Sequence, residues 1–183
     1  MSPVLVAALV LLGLLIGLNL LLTVAVIRKL RRHDELLRDF EGPSPLPRIT
    51  AGAVVPEFAT EAVDGPLTAA DLGNAPTLIA FAAPGCGGCE AARPQLIKLL
   101  AERQARGEQG WVVIADDQGD GDTLAGEFSA HARVIIEHPG HGPIHEALGV
   151  SVYPNYVLVG ADGRVAKVGA DLRDVAVPVP ARS

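Results

Sequence analysis

The hydrophobic pattern divides the chain into an apolar N-terminal run and a longer region of short alternating elements. The run Val4–Ile27 contains no ionisable side chain. As a helix it would be about 36 Å long at roughly 1.5 Å per residue, enough to cross a bilayer core of about 30 Å. Because the basic cluster within Arg28–Arg32 follows this run and no basic residue precedes it, we interpret the run as an uncleaved transmembrane anchor and not as a signal peptide.

The anchor is expected to continue as a helix to Phe40, which gives a segment 1–40. Gly13 and Gly17 form a small-xxx-small pair, and the positions that follow have coiled-coil-like spacing, so a homodimer through the anchor helix is possible. The proline-rich stretch Glu41–Pro47 cannot continue a helix and predicts a linker at 41–51. The positions with coiled-coil-like spacing are Val26, Leu30, His33, Leu37 and Phe40.

The remaining residues alternate between strand and helix patterns. Thr77–Ala82 and Trp111–Ala115 are apolar runs of strand length, suited to the centre of a sheet. Glu90–Arg103 has the apolar stripe of a helix. Tyr156–Val159 and Arg164–Val168 read as a hairpin. We therefore predict an α/β domain with a mixed central sheet flanked by helices over 52–172, followed by a tail at 173–183.

Charge and composition exclude one class of partner. The net charge is −6 and aromatic residues make up 4% of the chain, whereas nucleic-acid binding normally needs a basic face and often exposed aromatics. We expect no nucleic-acid partner.

The chain contains two cysteines, and they are three positions apart, as Cys86–Gly87–Gly88–Cys89. A zinc site would need two further ligands at suitable spacing, and a structural disulfide would close a very short loop. The pair follows a predicted buried strand and opens a predicted helix, where backbone N–H groups and the helix dipole favour a thiolate. This placement favours redox chemistry, with Cys86 as the nucleophile and Cys89 as the resolving thiol.

Several motifs in order resemble the thioredoxin superfamily, specifically its membrane-anchored TlpA/ResA-like branch. They are Val55–Phe58, Phe81–Cys89, Pro94 in the helix after the cysteines, and Gly149–Pro154 before the last hairpin. The anchor, short helix and proline-containing linker are also similar to those of MauD, an accessory protein of methylamine dehydrogenase maturation.

The resemblance implies a thioredoxin-like fold and thiol–disulfide oxidoreductase activity toward protein thiols or disulfides, with no cofactor and no metal. It implies that Cys86 and Cys89 are catalytic. It further implies that Pro154 follows a cis peptide bond and faces Cys86, so that Tyr153 and Pro154 bind the substrate chain.

Departures from the family keep two alternatives open. Thioredoxins carry an aromatic residue where Gly85 stands and a buried acid where Ala80 stands, so a non-catalytic thioredoxin-like scaffold is one alternative. The other is a copper-binding module that combines the cysteines with a histidine of the segment His138–His145. We interpret that segment, which contains His138, His141 and His145, as a polar, flexible surface loop.

The side of the membrane on which the domain lies receives opposing indications. Basic residues that flank a membrane helix tend to stay cytoplasmic, and here they follow the helix, which favours a cytoplasmic domain. The family resemblance favours the extracytoplasmic side.

Overall fold

The computed structural model describes residues 49–176 together with residues 12, 13, 16, 17, 19 and 20. The chain separates into two compact units, 1–43 and 44–183. The six described N-terminal residues are helical, and Leu12, Ile16 and Leu20 are exposed. In the part of the chain that is described, no helix combines the length and the hydropathy needed to cross a membrane. Most of the predicted anchor, its helical extension and residues 41–48 of the predicted linker lie outside that part.

The described residues of the second unit form one mixed sheet of seven strands in the order β2-β1-β5-β4-β3-β6-β7. Strands β3, β4 and β5 are parallel, and β6 runs antiparallel to β3. The predicted α/β class with a mixed sheet is therefore confirmed. The strands are β1 Ala59–Ala62, β2 Gly65–Thr68, β3 Thr77–Ala82, β4 Gln109–Ala115, β5 Arg133–Glu137, β6 Asn155–Val159 and β7 Val165–Gly169. The helices are α1 Gly87–Ala105, α2 Gly121–Phe128, α3 Pro143–Leu148 and α4 Leu172–Val175, with a 3-10 helix at Ala69–Gly73.

Helices cover both faces of this sheet, so its central strands are buried on both sides. Every residue of β3 is buried, which is why its sequence shows no polar alternation. One face packs against α1, α2 and α4, and the other against α3 and the 3-10 helix. Successive residues of β3 pack into the hydrophobic cores on opposite faces of the sheet. Ala80 lies on the α1 face and Phe81 on the α3 face.

Two segments just outside the expected bounds 52–172 also contact this domain. The backbone N–H of Ile49 donates to the carbonyl of Leu148 at 3.4 Å. At the other end, α4 continues to Val175, which is fully buried. The α1 helix is likewise longer than predicted, since it begins at Gly87 and not at Glu90.

Candidate active site

The site residues meet at one edge of the sheet because of the strand directions. Parallel strands β3, β4 and β5 all end at this edge. Strand β6 runs the other way and begins there, with Asn155 opposite Phe81. The loop from β3 to Cys86 and the residue Pro154 before β6 are therefore brought together, although they are far apart in sequence.

Cys86 and Cys89 form a disulfide with their Cα atoms 5.2 Å apart. Cys86 is the N-cap residue of α1, and its Sγ accepts a hydrogen bond from the backbone N–H of Cys89 at 3.2 Å. Cys86 is half-buried, whereas Cys89 is 8% exposed. The first sulfur is thus the more accessible one, and it lies where the helix terminus stabilises negative charge.

The Tyr153–Pro154 peptide bond is cis, as the family resemblance implies. Pro154 lies against Gly88, between the two cysteines. A Cβ built on Gly88 would be 3.0 Å from the Pro154 Cδ, whereas a Cβ built on Gly87 would meet open space. Cys89 and Pro154 line a small cavity together with Tyr156. The two cysteines and the cis-proline therefore form one contiguous site.

Ala80 marks a chemical difference from thioredoxins behind this site. It lies on the same face of the sheet as Cys89, and its partner on β6 is Tyr156. Burial raises the pKa of the Tyr156 phenol, and Asp171 adds to the effect. The phenol of Tyr156 is thus protonated at neutral pH on the face of the sheet where Ala80 lies.

His145 corrects one part of the sequence interpretation of its segment as a polar, flexible surface loop, in which His138 and His141 are exposed. It is the third residue of α3 and is fully buried. Its Nδ1 contacts Glu137 Oε2 at 2.8 Å, and its Nε2 contacts the Tyr153 hydroxyl at 2.9 Å. No sequence pattern predicts this hydrogen-bonded chain of Glu137, His145 and Tyr153. The one available signal was an acidic residue directly after the apolar strand run Val134–Ile136.

The same observation bears on the copper alternative. Both ring nitrogens of His145 already make hydrogen bonds, so this histidine has no free nitrogen with which to bind copper together with the cysteines. The rings of His138 and His141 lie 5.8 Å apart. Among the residues that the structure describes, no three histidine, cysteine or acidic side chains converge as a metal-binding set.

An acidic groove borders residues 83–85, which connect β3 to Cys86. Ala83, Pro84 and Gly85 line one side of it, and Asp116 and Asp117 line the other. Backbone N–H groups of the following turn, foremost that of Gln118, donate to Asp116 and lower its pKa. The surface beside residues 83–85, which precede Cys86, therefore has a negative character.

Comparison with known proteins bears on the fold. No protein-family model and no curated protein matches the chain. Solved structures do match, among them the thioredoxin domain of a thiol-disulfide oxidoreductase from Bacteroides vulgatus, with a TM-score of 0.59 and 18% identity over 70% of this chain and 94% of that one.

Two further structures agree. A thiol:disulfide interchange protein of the thioredoxin family from Chlorobium tepidum has a TM-score of 0.57 and 18% identity over 69% of this chain and 93% of that one. A secreted disulfide oxidoreductase of Mycobacterium tuberculosis, homologous to DsbE of E. coli, has a TM-score of 0.53 and 21% identity over 69% and 87%. The domain therefore has the thioredoxin-like fold.

Proposed function

We propose that this protein is a membrane-tethered thiol–disulfide oxidoreductase that exchanges the Cys86–Cys89 dithiol or disulfide with partner proteins. The observation that carries the proposal is the position of the two sulfurs. They are close enough to bond, and they lie at the N-terminus of a 19-residue helix with Cys86 on the more accessible side. A non-catalytic scaffold would not need this arrangement.

The exchange involves two displacements. The Cys86 thiolate attacks one sulfur of a partner disulfide, forms a mixed disulfide and releases the other partner sulfur as a thiolate. The Cys89 thiolate then attacks Cys86 and releases the first partner sulfur. Two electrons pass to the partner, and the Cys86–Cys89 disulfide remains. The reverse sequence oxidises a partner dithiol.

We propose that Tyr153 and Pro154 dock the partner, as in the TlpA/ResA-like branch. Pro154 contacts the cysteine loop, and the neighbouring Val152 is 51% exposed. An extended partner chain that lies along this backbone would bring its own sulfur next to Cys86.

A trapping experiment tests the exchange. In a Cys89→Ser variant the resolving thiolate is missing, so mixed disulfides with partner proteins should accumulate and disappear on reduction. The matched control is the Cys86→Ser/Cys89→Ser double variant, which should capture nothing. We would measure the adducts by non-reducing electrophoresis after rapid acid quenching of cells. An equal adduct pattern from both variants, or none from either, would refute the proposed exchange.

We also propose that Val4–Ile27 tethers the domain to a membrane, in an arrangement like that of MauD. The apolar run supports this, and so do the exposed side chains of Leu12, Ile16 and Leu20 on helical residues. Such side chains are stabilised by lipid and not by water.

The tether predicts a specific response to charge. A Leu12→Lys/Ile16→Lys variant should leave the membrane fraction, because a lysine at the centre of a span costs about 2.5–3.5 kcal/mol. A matched control places two lysines on exposed valines of the domain, Val54→Lys/Val63→Lys, and should stay with the membrane. Carbonate extraction followed by immunoblotting measures both. Wild-type protein in the carbonate supernatant would contradict the tether.

A further inference from the structure

Three hydrogen-bonded side chains, those of Glu137, His145 and Tyr153, connect β5 to the cis-proline. Glu137 at the end of β5 is 6% exposed, and His145 is completely buried. The chain continues from His145 Nε2 to the Tyr153 hydroxyl at 2.9 Å. Because Pro154 follows Tyr153 directly, the hydrogen-bonded chain ends beside the start of α1, where the two cysteines lie.

The direction of the hydrogen bonds follows from the donors around Glu137. Its Oε1 accepts the backbone N–H of Ile144 at 3.0 Å, and its Oε2 accepts that of His145 at 3.2 Å. The 2.8 Å contact from Oε2 to His145 Nδ1 is then satisfied by a proton on Nδ1. In the neutral imidazole Nε2 is then the acceptor, and we assign the Tyr153 hydroxyl as the donor to it.

The surroundings fix this arrangement sterically. Gly142 has no side chain, and a Cβ there would overlap the Glu137 carboxylate. The ring of His145 meets that of Phe81 edge-on, with centroids 5.1 Å apart, and that of Tyr153 at 5.8 Å. Tyr153 packs against the apolar cores on both faces of the sheet. Its phenol is thus held by contacts, by the hydrogen bond to His145 and by a hydrogen bond from the backbone N–H of Gly140.

Helix capping alone does not account for the whole chain. Capping the six-residue α3 requires only an acceptor for its first N–H groups, which Glu137 supplies. Burying an imidazole and a carboxylate in an apolar core is costly, and an apolar pair of similar volume is often as stable. The part that capping leaves unexplained is the link from His145 to Tyr153, and that link leads to the active-site edge.

We propose that Glu137 and His145 are positioning residues that hold the Tyr153 phenol, and through it the Tyr153–Pro154 backbone, in the orientation that docks a partner chain beside Cys86. This inference rests on the proposed thiol–disulfide exchange. The hydrogen bond acts on docking and not on sulfur chemistry. Its loss therefore weakens binding of an extended substrate and leaves the reactivity of Cys86 toward a small disulfide intact.

The test compares two disulfide probes in single turnovers of the fully reduced, full-length protein. One probe is an eight-residue peptide dimer joined by a single disulfide, and the other is 2-hydroxyethyl disulfide, which is too small to use the docking backbone. For Tyr153→Phe, which removes the hydrogen bonds of the hydroxyl with His145 and Gly140, the half-saturating concentration of the peptide should rise at least about tenfold, the scale of one lost hydrogen bond. In His145→Gln, which leaves the docking residues themselves unaltered, the maximal rate with the peptide and the rate with the small probe should change less than about twofold.

A double-mutant cycle separates positioning from a general effect on stability. His145→Gln should raise the half-saturating concentration as Tyr153→Phe does. The combined variant should be no worse than about twofold beyond Tyr153→Phe, since both substitutions remove the hydrogen bond between His145 and Tyr153. The matched control His131→Gln alters a histidine that precedes β5, at the opposite edge of the sheet, and should leave all constants unchanged. Thermal unfolding of each variant confirms that it is folded.

The outcomes distinguish the two proposals. Wild-type protein that reduces neither probe refutes the proposed exchange itself. If wild-type protein reduces both probes and Tyr153→Phe has an unchanged half-saturating concentration of the peptide, the positioning role alone is refuted. A multiplicative loss of about a hundredfold in the double variant also refutes it, because the two residues would then act independently.

Discussion

Replacing Cys86 by serine lowers the rate of disulfide exchange by more than about a thousandfold, equivalent to about 4 kcal/mol of barrier. This expected result follows from the chemistry of the first displacement. The attacking group must be a thiolate, and a serine hydroxyl remains protonated at the same helix terminus and forms no disulfide. Stopped-flow measurement of the reduced protein with a disulfide-linked peptide gives the rate directly.

Cys89→Ser is the matched comparison, because it makes the same substitution one helical turn further along α1. It should retain the first displacement and lose the second, so one equivalent of peptide thiol is released and turnover then stops. If Cys86→Ser retained more than a tenth of the wild-type rate, or if Cys89→Ser lost the first displacement instead, the assigned roles of the two sulfurs would be wrong.

The second large effect concerns stability. Glu137→Ala should lower the free energy of unfolding by about 3–5 kcal/mol, because it leaves three buried N–H donors without their acceptor. The carboxylate accepts from Ile144 N, His145 N and His145 Nδ1. Guanidinium unfolding of the oxidised protein, monitored by Trp111 fluorescence, measures the loss.

Glu127→Ala provides the control for this prediction. Glu127 also pairs with a basic side chain, Arg93, at 3.1 Å, but the two side chains are 39% and 30% exposed. Such surface pairs contribute about 0–1 kcal/mol. A Glu137→Ala variant that lost no more stability than Glu127→Ala would show that the buried carboxylate contributes little. The inferred hydrogen-bond directions would then need revision.

Local patterns predicted much of the fold. Strand β3 was predicted with its observed bounds, Thr77–Ala82, because six consecutive buried residues leave a clear apolar run. The start of α1 was less visible, since Gly87 and Gly88 have poor helix propensity. In the structure the helix begins there because Cys86 caps it through Sγ. This contact depends on the side-chain geometry of the cysteine and not on propensity.

In the candidate site, too, some residues could be predicted from the sequence and others could not. The cysteines were visible from their spacing, and Tyr153 and Pro154 from the family resemblance. The burial of His145 was not visible, because its neighbours are proline, glycine and histidine, which are typical of surface loops. Its burial depends on Glu137, which another strand places beside it. A pairing between separate elements leaves no periodic signal in the sequence.

The contact between Gly88 and Pro154 restricts how the dipeptide between the cysteines can vary. If the protein exchanges disulfides as proposed, changes that stabilise one redox state over the other shift its reduction potential. Here the first intervening position opens to solvent, whereas the second is bounded by the proline ring at 3.0 Å from a built Cβ. Adjustment of the potential by substitution between the cysteines is thus available mainly through residue 87, and a side chain at residue 88 would alter the docking surface at the same time.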